Sequence, residues 1–550
     1  MSLDKTTYPA RISILVVFFC FLYAVLCFKI FNVAVFFEEE VNARFLGSEI
    51  SKRKDIVDRN GVLLATNLTS VSVYANPKKI ENIRKTAKRI AKALPDIRLA
   101  SLEKKLRSNK SFIWIKRNIS PKEQQRVNNL GLPGVFYEIN EKRAYPYGRL
   151  FSHILGYVGL DGNGLAGIEK QYDEELKSIK DEKDQIQLTL DARIQNIARE
   201  ELGKGIKKFK AKGGAAIVQD PKTGEIISLV SLPDYDPHIP GKASDEQMFN
   251  KSTLASYELG SVFKIFTVAM ALDRGTTDVK DAYDVSKPIQ FAKYSIKDFR
   301  GKGGFLSVPE ILMYSSNIGT VQIAFELGAD HLYGYLKSLG FLSKVKIDYP
   351  EISSPIYPNR KSWGSTSTAT VSYGYGVSAS PLQVIRAFNA VVNGGYLRDS
   401  MLVKQEHEKL PAAKKVFSDD TSLKLRKILN MVVQKGSGKK AKVAGYYVGG
   451  KSGTANKAVN GKYNSKARMS SFLSAFPIHD PKYSIFVILD DPQGIKETFG
   501  FATGGWNAAP ITSSIIRRIA TIENIPTYDD KEIDEALKIE YDTGKKGKYL

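Results

Sequence analysis

The sequence predicts an α+β fold: one N-terminal transmembrane helix, a small α+β module, and a larger domain with an antiparallel five-stranded sheet flanked by helices. Three observations lead there. The chain opens on a long apolar run. In its C-terminal two thirds, apolar segments of strand length come as an early pair and a late trio. Between them lie long helical patterns. At 550 residues, 43% hydrophobic and 25% charged, the chain can fill two to four domains with buried cores.

Ile12–Phe28 (ISILVVFFCFLYAVLCF) carries no charge. A span of about 20 residues, enough to cross a bilayer, must include Lys29, whose long side chain can reach back to the interface. Lys5 and Arg11 precede the run; Glu38, Glu39 and Glu40 follow it. The positive-inside rule keeps residues 1–11 in the cytoplasm and sends the rest across. A cleaved signal peptide would have a shorter apolar core and small residues after it, whereas bulky phenylalanines follow here. Residues 12–37 are therefore expected to be a retained anchor.

Residues 38–184 are mixed and charge-rich, with short β-like runs (Val71–Tyr74, Phe112–Trp114) and a polar helical run, Lys78–Ala93. They read as an α+β module with a modest core. From about Gln185 the texture changes. Gly213–Asp220 and Glu225–Leu232 flank Pro-Lys-Thr-Gly, which predicts a hairpin. Tyr446–Thr454, Ser470–Pro477 and Tyr483–Asp490 predict three more strands, and Ser261–Leu272 and Pro309–Gly328 predict helices. One sheet closed by distant parts of the chain, helices on its faces, follows for residues 185–525. Residues 526–550 are polar and charged and read as a mobile tail.

Composition excludes several chemistries. The two cysteines, Cys20 and Cys27, both lie in the apolar run, so the rest of the chain has no disulfide, thiol nucleophile or thiolate metal site. No pair of the 5 histidines has the HExxH spacing. A net charge of +23 suits an anionic partner such as a membrane surface, nucleic acid or acidic polymer, without choosing among them.

The run Gly260–Leu272 (GSVFKIFTVAMAL) is apolar all round, as a buried helix is, and Lys264 is its only charge. Burying an ammonium is costly, and one relief is to lose the proton, which makes the lysine a base. Ser261 lies one turn earlier on the same face, in the first turn, where backbone N–H groups are free and the helix dipole is positive. A hydroxyl beside a base and a free N–H form an activated nucleophile. The spacing alone is common. It recurs at Ser2/Lys5, Ser51/Lys54, Ser101/Lys104, Ser343/Lys346 and Ser437/Lys440, where polar neighbours indicate solvated surface. Two further segments add to Ser261 and Lys264. Ser315-Ser316-Asn317 follows a helical run and by itself could simply end a helix. Lys451-Ser452-Gly453-Thr454 ends a predicted strand and by itself could be a glycine-rich bend.

Ser-x-x-Lys, Ser-x-Asn and Lys-Ser/Thr-Gly, in that order, resemble the active site of penicillin-binding proteins and serine β-lactamases. The wider neighbourhood is similar to class B penicillin-binding proteins: RKDIVDRNG (53–61), RAYPYG (143–148) with Ser152-His153, GLAGIE (164–169), YELGSVFK (257–264) and TGGW (503–506). The resemblance spans residues 53–525. Lys54 departs from the family's usual glycine, Val262 from a common threonine, and Ser452 from threonine while keeping the hydroxyl.

The resemblance implies a pedestal (38–184) and a serine β-lactamase-like transpeptidase domain (185–525). It implies that Ser261 attacks the penultimate D-Ala carbonyl of a peptidoglycan stem pentapeptide and that Lys264 takes its proton. Ser261 and Thr454 amides would form the oxyanion hole. Ser315 and Asn317 would relay protons and hold the peptide, and Lys451, Ser452, Gly453 and Thr454 would bind the terminal carboxylate. β-Lactams would trap the acyl-enzyme. No cofactor, metal or nucleic acid is implied. The implied partners are an FtsW-like SEDS glycosyltransferase and other divisome proteins, and the implied place is the bacterial inner membrane with a periplasmic catalytic domain. Glu258 and GLAGIEKQYD favour a septal, FtsI-like enzyme over an elongation enzyme. The N-terminal boxes argue against a β-lactam sensor or β-lactamase, and the complete motif set argues against a non-catalytic scaffold.

Overall fold

The computed structural model describes residues 13–31, 53–179, 181, 184–291, 294–299, 301–404, 413–459, 462–528 and 531–541. Ser13–Phe31 is one helix of 19 residues, long and apolar enough to cross a membrane, with none of it buried. That fits a single-pass anchor. Residues 32–37, the rest of the predicted span, lie outside the described residues.

Beyond the helix the chain forms two compact units, one holding residues 67–144 and the other residues 54–66 and 145–541. Strand Ile113–Ile119 pairs with Val71–Ala75 at the end of strand Leu63–Ala75, and Val135–Ala144 pairs with the same strand. The helix Ile83–Ala93 starts at Asn82, whose side chain accepts from the Lys85 amide, and buries Ala87 and Ile90. These residues join Val73, Leu102, Leu106 and Ile115 in one core. Of the predicted run Phe112–Trp114, Ile113 and Trp114 open strand Ile113–Ile119 and Phe112 just precedes it.

Residues 145–179, grouped by the sequence with the N-terminal module, pack in the larger unit: Phe151, Ile154 and Ile168 belong to its core. The first family-like box is held there as well. Asp58 accepts hydrogen bonds from the Asn60 and Val62 amides and, with its other oxygen, from the Ala192 amide. Asn60 donates to Asp191, the residue that caps the helix Ala192–Phe209. The tight turn falls at Gly61, with φ of 82°, and not at Lys54.

The larger sheet contains β1 (Gly213–Gln219), β2 (Ile226–Leu232), β3 (Gly449–Val459), β4 (Lys462–Phe476) and β5 (Tyr483–Asp490). Its order is β3-β4-β5-β1-β2, every pairing antiparallel. The five-stranded antiparallel sheet of the sequence reading is therefore present, with β3 and β4 running further than predicted. Strand alternation distributes the core between both faces. Ile485, Val487 and Leu489 of β5 face a cluster that includes α1 (Ala192–Phe209) and α7 (Ala508–Ile522). Phe486 and Ile488 face the opposite cluster, which draws on α2 (Lys264–Arg274), α3 (Val308–Tyr314), α4 (Asn317–Leu327), α5 (Pro381–Val392) and α6 (Asp419–Lys435).

Two expectations change. The helical run 309–328 is two helices, because Ser315 adopts the left-handed conformation at φ 62° and breaks it. The tail is not wholly mobile: Lys531–Leu537 is helical, and Leu537 is buried with Ile533 and Tyr541 packed nearby.

Candidate active site

The site grows from one crowded junction. Leu259 leads into a 3₁₀ turn, Gly260–Val262, which feeds directly into α2. Gly260 sits at φ 53°, and a Cβ there would lie 2.4 Å from the Thr454 carbonyl oxygen. Only glycine allows that approach. From the other side, a Cβ on Gly453 would lie 2.6 Å from Cγ2 of Val262 and 2.9 Å from the Leu259 carbonyl oxygen. Two glycines thus let the turn carrying Ser261 press against β3, the edge strand of the sheet.

Lys264 follows one turn later. It has no exposed surface, nor has Lys451 on β3. Both reach the same residue. Lys264 Nζ donates to the Ser315 carbonyl oxygen at 2.6 Å and lies 3.3 Å from Ser315 Oγ. Lys451 Nζ donates to Ser315 Oγ at 3.0 Å and to the Ser452 carbonyl oxygen at 3.0 Å. The left-handed backbone of Ser315 aims its hydroxyl and its carbonyl at the two amines, a strained conformation of the kind that gathers at working sites.

Electrostatics follow from burial. Desolvation first, and the Lys451 ammonium second, push the Lys264 pKa well below the usual lysine value; the Asp298 carboxylate opposes them. Desolvation also pulls Lys451 down to about 7. Asp298 fixes the start of α4: it accepts from Ser316 Oγ at 2.7 Å and from the Asn317 and Ile318 amides at 2.5 and 3.1 Å. The Asn317 side-chain amide donates to the Lys297 carbonyl oxygen at 2.8 Å.

In front of this lies a cleft of about 760 Å³. Ser261, Ser315, Asn317, Ser452 and Thr454 line it; Lys264, Lys451 and Gly453 stand behind that wall. The sequence-predicted residues are thus gathered at one place. Others were missed. Asp298 sits in a polar loop with no motif. Tyr375, whose hydroxyl accepts from the Asn456 amide at 3.4 Å, forms part of the rim. Ser437 and Lys440, read from the sequence as solvated surface, line the cleft, because the Ser437 amide is tied to the Met313 carbonyl oxygen two residues before Ser315. In the TGGW stretch the Gly504 amide donates to Thr454 Oγ1 at 3.2 Å, and a Cβ on Gly504 would lie 2.5 Å from the Gly453 carbonyl oxygen.

Residues 214–517 match the penicillin-binding protein transpeptidase domain, and residues 48–207 match the penicillin-binding protein dimerisation domain. This chain belongs to the class B penicillin-binding proteins. It is an enzyme, a serine-type D,D-transpeptidase that works by acyl transfer. Among the relatives of this penicillin-binding protein, the probable peptidoglycan D,D-transpeptidase FtsI of Caulobacter vibrioides is 36% identical, covering 85% of this chain and 81% of its own. Stage V sporulation protein D of Bacillus subtilis is 34% identical, over 85% and 77%. The transpeptidase domain of Burkholderia pseudomallei penicillin-binding protein 3 superposes with a TM-score of 0.56 at 32% identity, over 62% of this chain and 98% of that one. Penicillin-binding protein 3 of Mycobacterium tuberculosis, solved with ampicillin, superposes at 0.70 with 23% identity, over 87% and 97%, which shows a shared fold.

Proposed function

We propose that this penicillin-binding protein cross-links peptidoglycan stem peptides during septal wall synthesis. The observation that carries the catalytic assignment is the convergence of two fully buried lysines on Ser315 at the wall that holds Ser261.

In this reading, a stem pentapeptide lies along the open edge of β3, where unpaired strand groups can receive an extended chain. Ser261 Oγ attacks the penultimate D-Ala carbonyl carbon, and the neutral Lys264 amine takes the hydroxyl proton. The Ser261 and Thr454 amides receive the oxyanion. The Ser452 and Thr454 hydroxyls bind the terminal carboxylate, with the charge of Lys451 behind them. Collapse of the tetrahedral intermediate breaks the peptide bond. The leaving D-Ala amine gains a proton through Ser315, supplied from the lysines, while Asn317 holds the peptide. An amine of a second stem then attacks the Ser261 ester and regenerates the hydroxyl. β-Lactams, which mimic D-Ala-D-Ala, stop at the ester.

The similarity to the FtsI proteins, together with Glu258 and the GLAGIEKQYD box, supports the septal role over an elongation role. On that basis the anchor places residues 1–11 in the cytoplasm and the catalytic domain in the periplasm. It also packs against an FtsW-like SEDS glycosyltransferase among other divisome proteins. Penicillin is expected to acylate Ser261 stoichiometrically by intact mass and peptide mapping, and Ser437 not at all. Label persisting in Ser261→Ala would remove the assignment. Exchanging residues 12–37 for an unrelated span of equal length and orientation should leave labelling intact, abolish co-purification with the glycosyltransferase and make cells filament. Normal division by that chimera would reduce the anchor to a tether.

A further inference from the structure

The catalytic cleft does not end at its own wall. Lys439, Lys440 and Trp506 also line a second groove of about 630 Å³, on the side of the sheet where α1 and α7 lie. Six cations line that groove against two carboxylates, Glu201 and Glu497. Glu201 is already engaged, by Lys204 at 2.7 Å and Arg518 at 2.8 Å. Lys208, Lys439, Lys442 and Arg517 are exposed and form no ion pair among the described residues. Adjacent unpaired cations repel one another, so a groove of this kind favours an anion.

The cations are held in place. Lys439–Ala441 is a 3₁₀ turn whose Ala441 is fully buried, and Ser513 of α7 donates its hydroxyl to the Lys442 carbonyl oxygen at 3.2 Å. Lys440 Nζ lies 4.3 Å from the ring centre of Trp506, which stacks on Phe501 at an interplanar angle of 20°. The shared residues therefore form a rigid basic and aromatic sill joining the two cavities.

Resting on the transpeptidase reading above, we propose that the basic groove binds the acceptor strand: a stem peptide whose free carboxylates pair with Lys208, Lys442 and Arg517 while its amine crosses the Trp506 sill toward the Ser261 ester. Once D-Ala has left, the acyl donor still lies along β3, joined to Ser261. The acceptor must approach from elsewhere, and the groove supplies an approach with the opposite charge to its ligand. The amine attacks the ester carbonyl, the serine oxygen leaves and takes a proton, and an amide forms.

The test uses the detergent-solubilised full chain, a D-alanyl thioester donor, and two synthetic acceptor peptides with the same amine, one with free carboxylates and one with carboxamides. The variant is Lys208→Glu with Lys442→Glu and Arg517→Glu. Penicillin labelling of Ser261 and thioester hydrolysis are expected to stay at the wild-type level. Aminolysis by the carboxylate acceptor should fall about tenfold or more, mainly through its KM, and aminolysis by the carboxamide acceptor should not change. In the wild type, raising salt from about 20 to about 200 mM should raise KM for the carboxylate acceptor alone. Unchanged transfer to the carboxylate acceptor, an equal loss with both acceptors, or a salt-independent wild-type KM each overturns the groove assignment. Should the variant fail to label, the wild-type salt dependence decides. Failure of wild-type Ser261 to label counts against the transpeptidase reading itself.

Discussion

The wall of the cleft and the groove beside it both use lysine, under opposite conditions. Lys264 and Lys451 have no exposed surface, and their nearest polar partners are one serine and a backbone carbonyl. An ammonium there loses its hydration and gains no carboxylate in contact, so protonation is penalised. Lys208 and Lys442 stand in water, where an ammonium is well solvated and its field reaches an approaching anion. On the function and the groove proposed above, one residue type serves as a proton acceptor in one place and as an anchor for charge in the other, and desolvation makes the difference.

The largest expected effect tests the buried side. Lys264→Arg keeps a cation but cannot give up its proton, so penicillin acylation of Ser261 should slow by about 10² or more. A near-normal acylation rate, followed by stopped-flow or gel fluorography, would end the claim that burial makes Lys264 a base.

A second test reads the same burial as stability. For Lys451 the folded pKa, about 7, lies below the unfolded lysine value. Between those values the unfolded chain binds the extra proton, so stability rises with pH across that window, by up to about 1.4 kcal/mol per pH unit. The penalty is complete below the folded pKa and gone above the unfolded one. Lys264 contributes with the same sign. Between about pH 8 and pH 10, Lys451→Met should therefore flatten the rise of stability with pH by removing the Lys451 share of it. Denaturant midpoints across that range check it, and an unaltered pH profile would mean that Lys451 is not penalised by its surroundings.

The smallest effect belongs to the exposed side. Lys442→Ala should change unfolding stability by less than about 0.5 kcal/mol, because no described partner is lost and nothing buried is uncovered. A larger loss in differential scanning would show that the groove lysines hold the 3₁₀ turn together, and the contrast between the two regions would weaken.

The same contrast explains what was legible in the sequence. Lys264 stood out because a single charge inside an apolar helix is a local conflict visible in one dimension. The sheet was legible because its strands are apolar runs of strand length; Ile485–Leu489 face two cores alternately, so every position must be apolar. Ser315 was legible only through its motif, since its left-handed backbone leaves no trace in polarity. Asp298 and Lys439 were not legible: they come from polar loops whose text matches any solvated surface, and only the fold gathers them; Tyr375 lies in a largely buried glycine and tyrosine stretch that carries no motif. The split of 309–328 into two helices and the C-terminal helix were missed for related reasons. One hinges on a single residue's φ, and the other buries little beyond Leu537.

The strand order has a consequence in time. In the sheet, β1 pairs with β5, yet β1 ends at Gln219 and β5 begins at Tyr483. At about 5–20 residues per second of synthesis, β1 and its hairpin partner β2 wait for tens of seconds before the third strand of their own sheet exists. A lone hairpin is marginally stable in water, and its unpaired apolar edge invites pairing with any other extended chain. Until Tyr483–Asp490 has been made, the β1–β2 hairpin of this domain therefore keeps an unpaired, apolar seam.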